Sequence, residues 1–317
     1  MNKAVAYNPG LLNSVRVNAA AVSAFAKNLG ARRSFKQKEQ AIAYFHAVAC
    51  MDLTTLRGDD TSGRVDRLCA KALQPVRPEL FRAVREKFGL PDFDLRAAAV
   101  CVYPKEVETA VRIVGALVKV ASVSTGFPSG QTFEEVKEIE THLAVVKGAR
   151  EVDVVISRDK ALRGDWLGIY AELLRFRNWC GEDVSLKTIL EVSDLQDLNI
   201  VAKASLVAMM AGSDFIKTST GLGDYGATPE SALVMCWQID TFRKNFGHKV
   251  GLKVAGGIRS AKEALGYLIL MNESLGPEWT EPELFRIGAS ALLTDVEMQL
   301  EHLATGAYSA PDRHPKG

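Results

Sequence analysis

Short apolar runs alternate with segments of helical periodicity along most of the chain, and this alternation limits the possible folds more than any other feature. Such runs occupy residues 47–53, 97–103, 118–123, 151–156, 185–190, 214–218, 250–254 and 284–288. Apolar strands that alternate with helices are typical of a parallel sheet covered on both faces. Eight of them in one series favour an α/β protein with a closed (β/α)8 TIM barrel over an open doubly wound sheet or two separate domains.

The regular pattern leaves both ends of the 317 residues outside the predicted barrel. Residues 1–45 predict an N-terminal helical extension, with helical patterns that begin at about Ala19 and Ser34. We expect this extension to cap the barrel or to form an oligomer contact. Residues 46–306 are predicted to form the barrel, and the polar residues 307–317 a mobile C-terminal tail.

The charge balance argues against nucleic acid or a membrane as a partner. The 39 basic and 38 acidic residues are scattered and give a net charge of +1, so no bulk field attracts a polyanion. No apolar run approaches the roughly 20 residues of a membrane-spanning helix, and residues 1–30 lack the features of a secretory signal. The cysteines, five in number and widely spaced, favour reduced thiols and a cytoplasmic protein.

Charged residues interrupt several of the apolar runs. These residues are Asp52, Asp153, Lys187, Lys217 and Lys253. Because side chains alternate between the two faces of a strand, the apolar neighbours are expected to face the helices and the charges the barrel axis. One such residue could belong to a structural ion pair, but five that converge inside one barrel indicate a functional site.

Lysines and carboxylates in one cavity indicate Schiff-base chemistry. A lysine has a pKa near 10.4, and lowering this pKa to about 7 costs roughly 4 kcal/mol, which burial and a second ammonium can supply. Lys217 and Lys253, on the sixth and seventh predicted strands, are the natural pair, and Asp153 is placed to move protons. We favour Lys217 as the nucleophile because residues 218–220 follow it with hydroxyls for a polyol substrate. On the residues alone, Lys253 remains the alternative.

Two glycine-containing loops are candidate anion sites. Residues 255–260 follow the seventh predicted strand and residues 288–290 the eighth, and each loop opens a helix. Ser260 and Glu263 form a capping box at the start of the first of these helices. Glycines let backbone N–H groups approach a phosphate at a helix N-terminus, and these loops of barrels often hold one. The two loops together predict a phosphate site.

Histidines and cysteines point to less specific chemistry. The five histidines show no metal-ligand spacing, so we expect neither a metal-dependent mechanism nor a cofactor. By strand alternation, Cys101 faces the barrel interior, where it is either a small hydrophobic residue or a substrate contact.

Short motifs along the chain also carry a resemblance to a known family. They are Met51 to Leu56, Ala99 to Pro104, Gly126 to Gly130, Glu151 to Val155, Asp214 to Gly221 and Ala255 to Arg259. In order and in residue type they resemble the deoxyribose-phosphate aldolase family, and the N-terminal extension resembles its longer, animal-type branch. The resemblance covers about Cys50 to Gly306. It implies a metal-independent class I aldolase that reversibly cleaves 2-deoxyribose 5-phosphate to acetaldehyde and glyceraldehyde 3-phosphate.

The resemblance implies roles for individual residues as well. Lys217 matches the Schiff-base lysine, Lys253 the lysine that lowers its pKa, and Asp153 the proton-relay carboxylate. The substrate-binding candidates are Asp52, Cys101, Lys187, Thr220, Gly221, Gly256, Gly257, Arg259, Gly288 and Ser290. The expected partners are small-molecule aldehydes and sugar phosphates, and a homo-oligomer is compatible with the family.

The sequence departs from the family's pattern mainly at the phosphate end. Leu222 stands where a lysine usually follows Lys-Thr-Ser-Thr-Gly, and Ala291 stands where a second hydroxyl residue usually follows Gly-Ala-Ser. Loss of a charge-assisted contact costs about 1.5–3 kcal/mol of binding, so we expect an intact aldolase centre with a relaxed phosphate requirement. The alternatives are another lysine-dependent aldolase or transaldolase, and an inactive barrel that serves as a binding protein.

Overall fold

A closed ring of parallel strands forms the centre of the computed structural model, which describes residues 1–31 and 36–315. The strands in these residues are β1 (Met51–Thr54), β2 (Ala99–Val102), β3 (Lys119–Ser124), β4 (Glu151–Val155), β5 (Ser185–Ile189), β6 (Phe215–Lys217), β7 (Gly251–Val254) and β8 (Phe285–Ala289). Each strand pairs with the next in parallel, and β8 pairs with β1. The predicted (β/α)8 TIM barrel is therefore confirmed.

Helices surround this ring. In the described part of the chain they are α1 (Pro9–Ser14), α2 (Ala19–Ala31), α3 (Gln37–Ala49), α4 (Ser62–Leu73), α5 (Pro78–Phe88), α6 (Val107–Val114), α7 (Glu134–Val146), α8 (Arg158–Arg163), α9 (Trp166–Cys180), α10 (Val192–Leu195), α11 (Leu198–Met210), α12 (Pro229–Phe246), α13 (Ala261–Leu275) and α14 (Leu292–Thr305). Every one of them is too short or too polar to span a bilayer.

The N-terminal extension packs on the outside of the barrel. Helix α2 lies against α12 and α13, and α3 lies against α13 and α14. The first residues reach the amino ends of the strands, where the buried Asn2 side chain donates hydrogen bonds to the carbonyls of Met209 and Ser213 at 2.8 and 2.9 Å. The extension also contains α1, which the sequence analysis did not predict. The predicted helix start at Ser34 lies outside the described residues.

The first predicted strand needs a correction. The apolar run 47–53 was assigned to a strand, but residues 47–49 form the last turn of α3, and β1 begins at Met51. Both elements are buried at this point, and a short apolar run does not distinguish a buried helix from a buried strand.

The C-terminal segment lies against α14. The His314 side chain is buried, and its imidazole nitrogens lie 3.7 Å from a carboxylate oxygen of Glu297 and 3.4 Å from one of Glu301. The next residue, Pro315, reaches a cavity at the carboxyl ends of the strands. The mobility that we expect for residues 307–317 stays a prediction.

Candidate active site

The structure brings the charged residues of the predicted strands together inside the barrel. Their exposed fractions are 0% for Asp52, Asp153 and Lys187, 2% for Lys217 and 1% for Lys253. Each side chain points to the axis because its neighbours in the strand pack against the helices. A buried charge of this kind is tolerated only when it is paired.

Lys217 and Lys253 share one carboxylate oxygen. The Nζ atoms of both lysines donate hydrogen bonds to Oδ2 of Asp153, each at 2.8 Å. The register of β6 and β7 places the two lysines side by side. Lys253 Nζ also donates to Oδ2 of Asp52 at 2.5 Å. The two amines are therefore held next to each other and share Asp153, but only Lys253 has Asp52 as a second carboxylate partner.

This difference separates the pKa values of the two amines. Burial lowers the pKa of Lys217, and although Asp153 opposes the shift, the positive charge of Lys253 adds to it, so the pKa is lowered. Burial also acts to lower the pKa of Lys253, but Asp153 and Asp52 outweigh it and raise the pKa. Since a neutral amine is the nucleophilic form, Lys217 is the better nucleophile of the pair.

Two charged residues that the sequence analysis missed complete the network. Arg286 on β8 donates to Oδ1 of Asp52 at 2.7 Å and to both carboxylate oxygens of Glu151 at 2.7 and 3.0 Å. Lys187 contacts Glu151 as well, and it lies 3.2 Å from Oδ1 of Asp153. These contacts form a continuous ionic network from the amino ends of the strands to the catalytic candidates.

The sequence did contain signals for both missed residues. Arg286 lies between Phe285 and Ile287, which is the same pattern of a charge within an apolar run that identified Lys217. Glu151 precedes Asp153 by two residues, so both side chains of β4 point to the same face. It lies at the first residue of the predicted run 151–156, so it has an apolar neighbour in the run on one side only.

The contacting network holds one more cation than carboxylates. Its cations are Lys187, Lys217, Lys253 and Arg286, and its carboxylates are Asp52, Glu151 and Asp153. Lys119 also approaches Glu151 at 3.5 Å, but its side chain is half-exposed and water screens it. Because an excess charge is costly in a buried site, the network favours loss of one proton. The lowered pKa of Lys217 identifies this lysine as the source of that proton.

A cavity of about 770 Å³ opens at the carboxyl ends of the strands, and Lys217 and Lys253 lie on its wall. The predicted substrate-binding residues that line it are Thr220, Gly221, Gly256, Gly257, Arg259, Gly288 and Ser290. Asp52, Asp153 and Lys187 are buried within the network beneath these lysines. The structure thus places the predicted nucleophile and the predicted phosphate loops on one cavity.

Cys101 lies in a small apolar cluster inside the barrel. It packs with the buried residues Ala99, Ala121 and Val123, and burial raises the pKa of its thiol. A raised pKa keeps the thiol protonated and unreactive at neutral pH. These surroundings favour the interpretation of Cys101 as a small hydrophobic residue near the amines.

The loop after β7 requires glycine because two backbone segments meet there. Gly256 has a φ of +83°, and an added Cβ would lie 2.7 Å from Cα of Gly226. The predicted capping box is confirmed at the start of α13, where Ser260 and Glu263 bond to each other's backbone N–H groups. The N–H of Gly257 and the side chain of Arg259 belong to the same stretch, which lines the cavity. This loop therefore has the form of an anion site at a helix N-terminus.

The start of α14 forms the second part of this anion site. Its N-cap residue, Ala291, makes no side-chain cap, so the first N–H groups of the helix are left for another acceptor. Leu222 and Ala291 both line the cavity. The two departures from the family pattern therefore lie at the end of the cavity where the phosphate is expected.

Other cations on the cavity wall are already in ion pairs. Arg57 lies 2.9 Å from a carboxylate oxygen of Asp59, and Lys71 lies 2.8 Å from one of Glu297. Arg64 is held by the same acidic loop as Arg57. Arg259, which lines the same cavity, is consequently the remaining candidate cation for a phosphate group.

Glu191, at the end of β5, is another residue that the sequence analysis missed. It is fully buried with a φ of 57°, a left-handed conformation that is uncommon outside glycine. Its Oε2 accepts hydrogen bonds from the N–H and hydroxyl groups of Thr220 at 2.9 and 2.5 Å, and its Oε1 accepts one from Ser193 at 2.9 Å. Glu191 therefore fixes the loop that leads from Lys217 to Leu222. The backbone conformation that permits this contact has no signature in the residue type.

The fold and this site together define a class of protein. A closed parallel barrel that buries a lysine of lowered pKa beside a second lysine and a shared carboxylate is the arrangement of a Schiff-base-forming aldolase. The sequence profile described as DeoC/LacD family aldolase matches residues 46–269. The chain belongs to this family of aldolases.

Individual relatives agree with this assignment. The chain is 51% identical to deoxyribose-phosphate aldolase of Mus musculus and 49% identical to that of Homo sapiens, in each case over 94% of this chain and 93% of the relative. Among solved structures, it is similar to the tetrameric deoxyribose phosphate aldolase of Aeropyrum pernix. That match has a TM-score of 0.56 and 22% identity, and it covers 89% of this chain and 98% of the other. It supports the fold alone.

Proposed function

We propose that the chain is a class I aldolase that reversibly cleaves 2-deoxy-D-ribose 5-phosphate to acetaldehyde and D-glyceraldehyde 3-phosphate through a Schiff base on Lys217. The observation that carries this proposal is that Lys217 and Lys253 share Oδ2 of Asp153. The mouse and human relatives, both deoxyribose-phosphate aldolases, support the choice of substrate.

The first step forms a covalent bond between enzyme and sugar. The neutral amine of Lys217 attacks the C1 aldehyde carbon of the open-chain substrate, and the carbonyl oxygen takes up a proton to give a carbinolamine. Loss of water then gives a protonated imine. Asp153 lies 2.8 Å from the reacting nitrogen and can carry these protons directly or through water.

The second step breaks the bond between C2 and C3. The C3 hydroxyl gives up its proton, its oxygen becomes the aldehyde oxygen of glyceraldehyde 3-phosphate, and the C2–C3 electron pair moves into the iminium group to form an enamine. Protonation of the enamine at C2 and hydrolysis of the imine then release acetaldehyde and return the Lys217 amine. The imine nitrogen stays next to Asp153 throughout, so one carboxylate can serve each proton transfer.

In this proposal Lys253 acts through its charge. Its raised pKa keeps it protonated, and Asp52 and Asp153 hold its ammonium group beside Lys217. A fixed positive charge at this place favours the neutral form of Lys217. Lys253 as the nucleophile is the less favoured assignment because its amine would have to lose a proton that two carboxylates stabilise.

The phosphate group of the substrate is proposed to bind at the far end of the cavity. The N–H groups of Gly256 and Gly257, the start of α14 near Ser290 and the side chain of Arg259 are the candidate donors. Leu222 lines the cavity wall at the position where the family usually has a lysine. We therefore also propose weaker binding of the phosphate group and greater tolerance of unphosphorylated aldehydes.

Borohydride trapping tests the chemistry. Incubation with acetaldehyde and borohydride should add one ethyl group to the intact protein, and peptide mapping should place it on Lys217. The Lys217→Ala variant should remain unmodified. An unmodified wild-type protein would favour the inactive binding barrel, and an adduct on Lys253 would reverse the roles of the two lysines. Product analysis with deoxyribose 5-phosphate then separates this activity from that of another lysine-dependent aldolase or transaldolase.

A cytoplasmic location and a homo-oligomeric state are part of the same proposal. All five cysteines are free and buried, which fits a reducing compartment. The Aeropyrum pernix relative is a tetramer, and this supports self-association as a property to test here.

A further inference from the structure

A buried carboxylate lies behind the loop that leads from β6 to α12. Glu191 is 0% exposed, and its two oxygens accept hydrogen bonds from the N–H and hydroxyl groups of Thr220 and from the hydroxyl group of Ser193. An ionised carboxylate only accepts hydrogen bonds, so these three donors fit the ionised form. Both partners are neutral, and Glu191 forms no ion pair within the described part of the chain. Its negative charge is therefore buried without a cation.

This carboxylate is close to the proposed phosphate end of the cavity. A Cβ added to Gly256 would lie 3.3 Å from Cα of Gly221, so the loop after β6 packs directly on the loop after β7. A Cβ added to Gly223 would lie 2.8 Å from Oε1 of Glu191. Since Thr220 bonds to Glu191 and consecutive Cα atoms are about 3.8 Å apart, the carboxylate lies within about 12 Å of the Gly256 backbone.

The two loops that meet there differ in charge. The loop after β6, residues 218–228, contains Asp224 and neither lysine nor arginine, and Leu222 occupies the position where the family usually has a lysine. The loop after β7 contains Arg259 and opens α13. One wall of the phosphate end therefore attracts an anion, whereas the other has a buried negative charge behind it that no lysine of its own loop offsets.

The loop after β6 also uses some of its backbone donors internally. The N–H of Thr220 donates to Oε2 of Glu191 at 2.9 Å, and the N–H of Leu222 donates to Oγ1 of Thr220 at 3.1 Å. These two N–H groups are directed to acceptors within the protein. The electrostatic contribution of this wall to phosphate binding is consequently set by the Glu191 charge and not by free donors.

We propose that Glu191 is a specificity-determining residue whose negative charge weakens binding of the substrate phosphate and so favours neutral hydroxyaldehydes over sugar phosphates. The inference rests on the proposed function, because it takes the reaction and the phosphate end of the cavity from there. At a separation of about 10 Å, the repulsion between this carboxylate and a phosphate dianion corresponds to about a threefold to tenfold loss of affinity.

The substitution Glu191→Gln tests the charge. Glutamine keeps the shape of the side chain and an acceptor for Thr220, so mainly the charge is lost. The quantity to measure is KM for deoxyribose 5-phosphate divided by KM for unphosphorylated deoxyribose, and this ratio should fall by about threefold to tenfold. An unchanged ratio would overturn the proposal.

The matched control is Glu140→Gln. Glu140 also fixes a loop at the carboxyl ends of the strands, since its Oε2 accepts a hydrogen bond from the N–H of Gly126 at 2.8 Å. That loop follows β3, across the barrel from β7. The same substitution there should leave the KM ratio as in the wild type. An equal fall of the ratio in both variants would overturn the assignment to Glu191.

A second variant separates the charge from the shape of the loop. Thr220→Val removes the hydroxyl group that donates to Glu191 at 2.5 Å but leaves the carboxylate in place, so the KM ratio should not fall. A fall as large as that in Glu191→Gln would show that a looser loop, and not the lost charge, improves phosphate binding. A Glu191→Gln protein that fails to fold would show that the charge supports the fold, and this result would also overturn the proposal.

Direct binding of inorganic phosphate distinguishes this inference from the proposed chemistry. Calorimetric titration needs no turnover, and Glu191→Gln should bind phosphate about threefold to tenfold more tightly than the wild type. The borohydride adduct with acetaldehyde involves no phosphate group and tests Lys217 alone. An adduct together with equal phosphate affinities would remove the role of Glu191 and keep the chemistry. Tighter phosphate binding by Glu191→Gln in a protein that forms no adduct would support the charge effect and remove the aldolase reaction.

Discussion

Inside the barrel, the lower part lies towards the amino ends of the strands and the upper part towards their carboxyl ends. Both parts contain buried cations and carboxylates, but the number of carboxylates around each cation differs. In the lower part, Arg286 contacts two carboxylates and Lys187 contacts three. In the upper part, Lys253 contacts two, and Lys217 contacts one among the described residues, which it shares. The pKa is raised for Lys187 and Lys253, where carboxylates outweigh burial, and lowered for Lys217, where burial prevails.

This comparison shows how one lysine becomes reactive among several buried cations. Burial alone would lower the pKa of each of these lysines. The number of carboxylates around each amine then decides whether that amine keeps its proton. The lower part thus serves as a structural ion network, and the upper part leaves one amine with too little compensation to stay charged.

The largest expected effect comes from removing the Lys217 amine from the upper part. Lys217→Ala should lower kcat for deoxyribose 5-phosphate cleavage by about 10⁴-fold or more, because the covalent intermediate can no longer form. Its chemical denaturation curve should stay close to that of the wild type. Substantial remaining activity would show that another amine carries the reaction.

The second prediction concerns the lower part. Arg286→Met removes a buried cation from Glu151 and Asp52, which leaves Glu151 with Lys187 alone as its fully buried partner, and should lower the free energy of unfolding by about 3–5 kcal/mol. Arg243→Met, which removes a half-exposed ion pair with Asp240, should cost less than about 1 kcal/mol. Urea denaturation measures both variants. Equal losses of unfolding free energy in the two variants would mean that the lower network does not have the structural role assigned to it.

The third prediction tests the charge of Lys253. Replacing it in Lys253→Met removes a positive charge that lowers the pKa of Lys217, so that pKa should rise. Because the neutral amine reacts, activity should then begin at a higher pH, with the acid limb of kcat/KM shifted upward by about one pH unit or more. Lys253→Arg keeps the charge and should shift the limb less. A downward shift in Lys253→Met would contradict the proposed role.

The smallest effect is expected at the outer end of the cavity. Leu222→Lys should lower KM for deoxyribose 5-phosphate by about 10-fold, which corresponds to about 1.4 kcal/mol of binding. KM for unphosphorylated deoxyribose should stay unchanged, and the Leu222→Met control should alter neither value. An equal change for both substrates would show that residue 222 does not contact the phosphate group.

Local patterns were sufficient to predict the barrel and the position of most residues of the candidate site. Lys217 and Asp153 could be assigned to the interior because a strand alternates its faces and their neighbours are apolar. Glu191 could not, because it follows a strand and owes its position to a left-handed backbone. Helix α7 shows the same limit. Its residue types do not predict that Lys137 is buried, because the partner that permits this burial, Glu172, is distant in the sequence.

The positions of residues 2 and 315 have a practical consequence for use of the protein as a biocatalyst. Residue 2 is anchored at the amino ends of the strands, whereas Pro315 lies at the mouth of the cavity at their carboxyl ends. A solid support coupled near Lys3 would leave the cavity open to substrate in the surrounding solution. A fused segment after residue 315 would start at the entrance and compete with substrate for access.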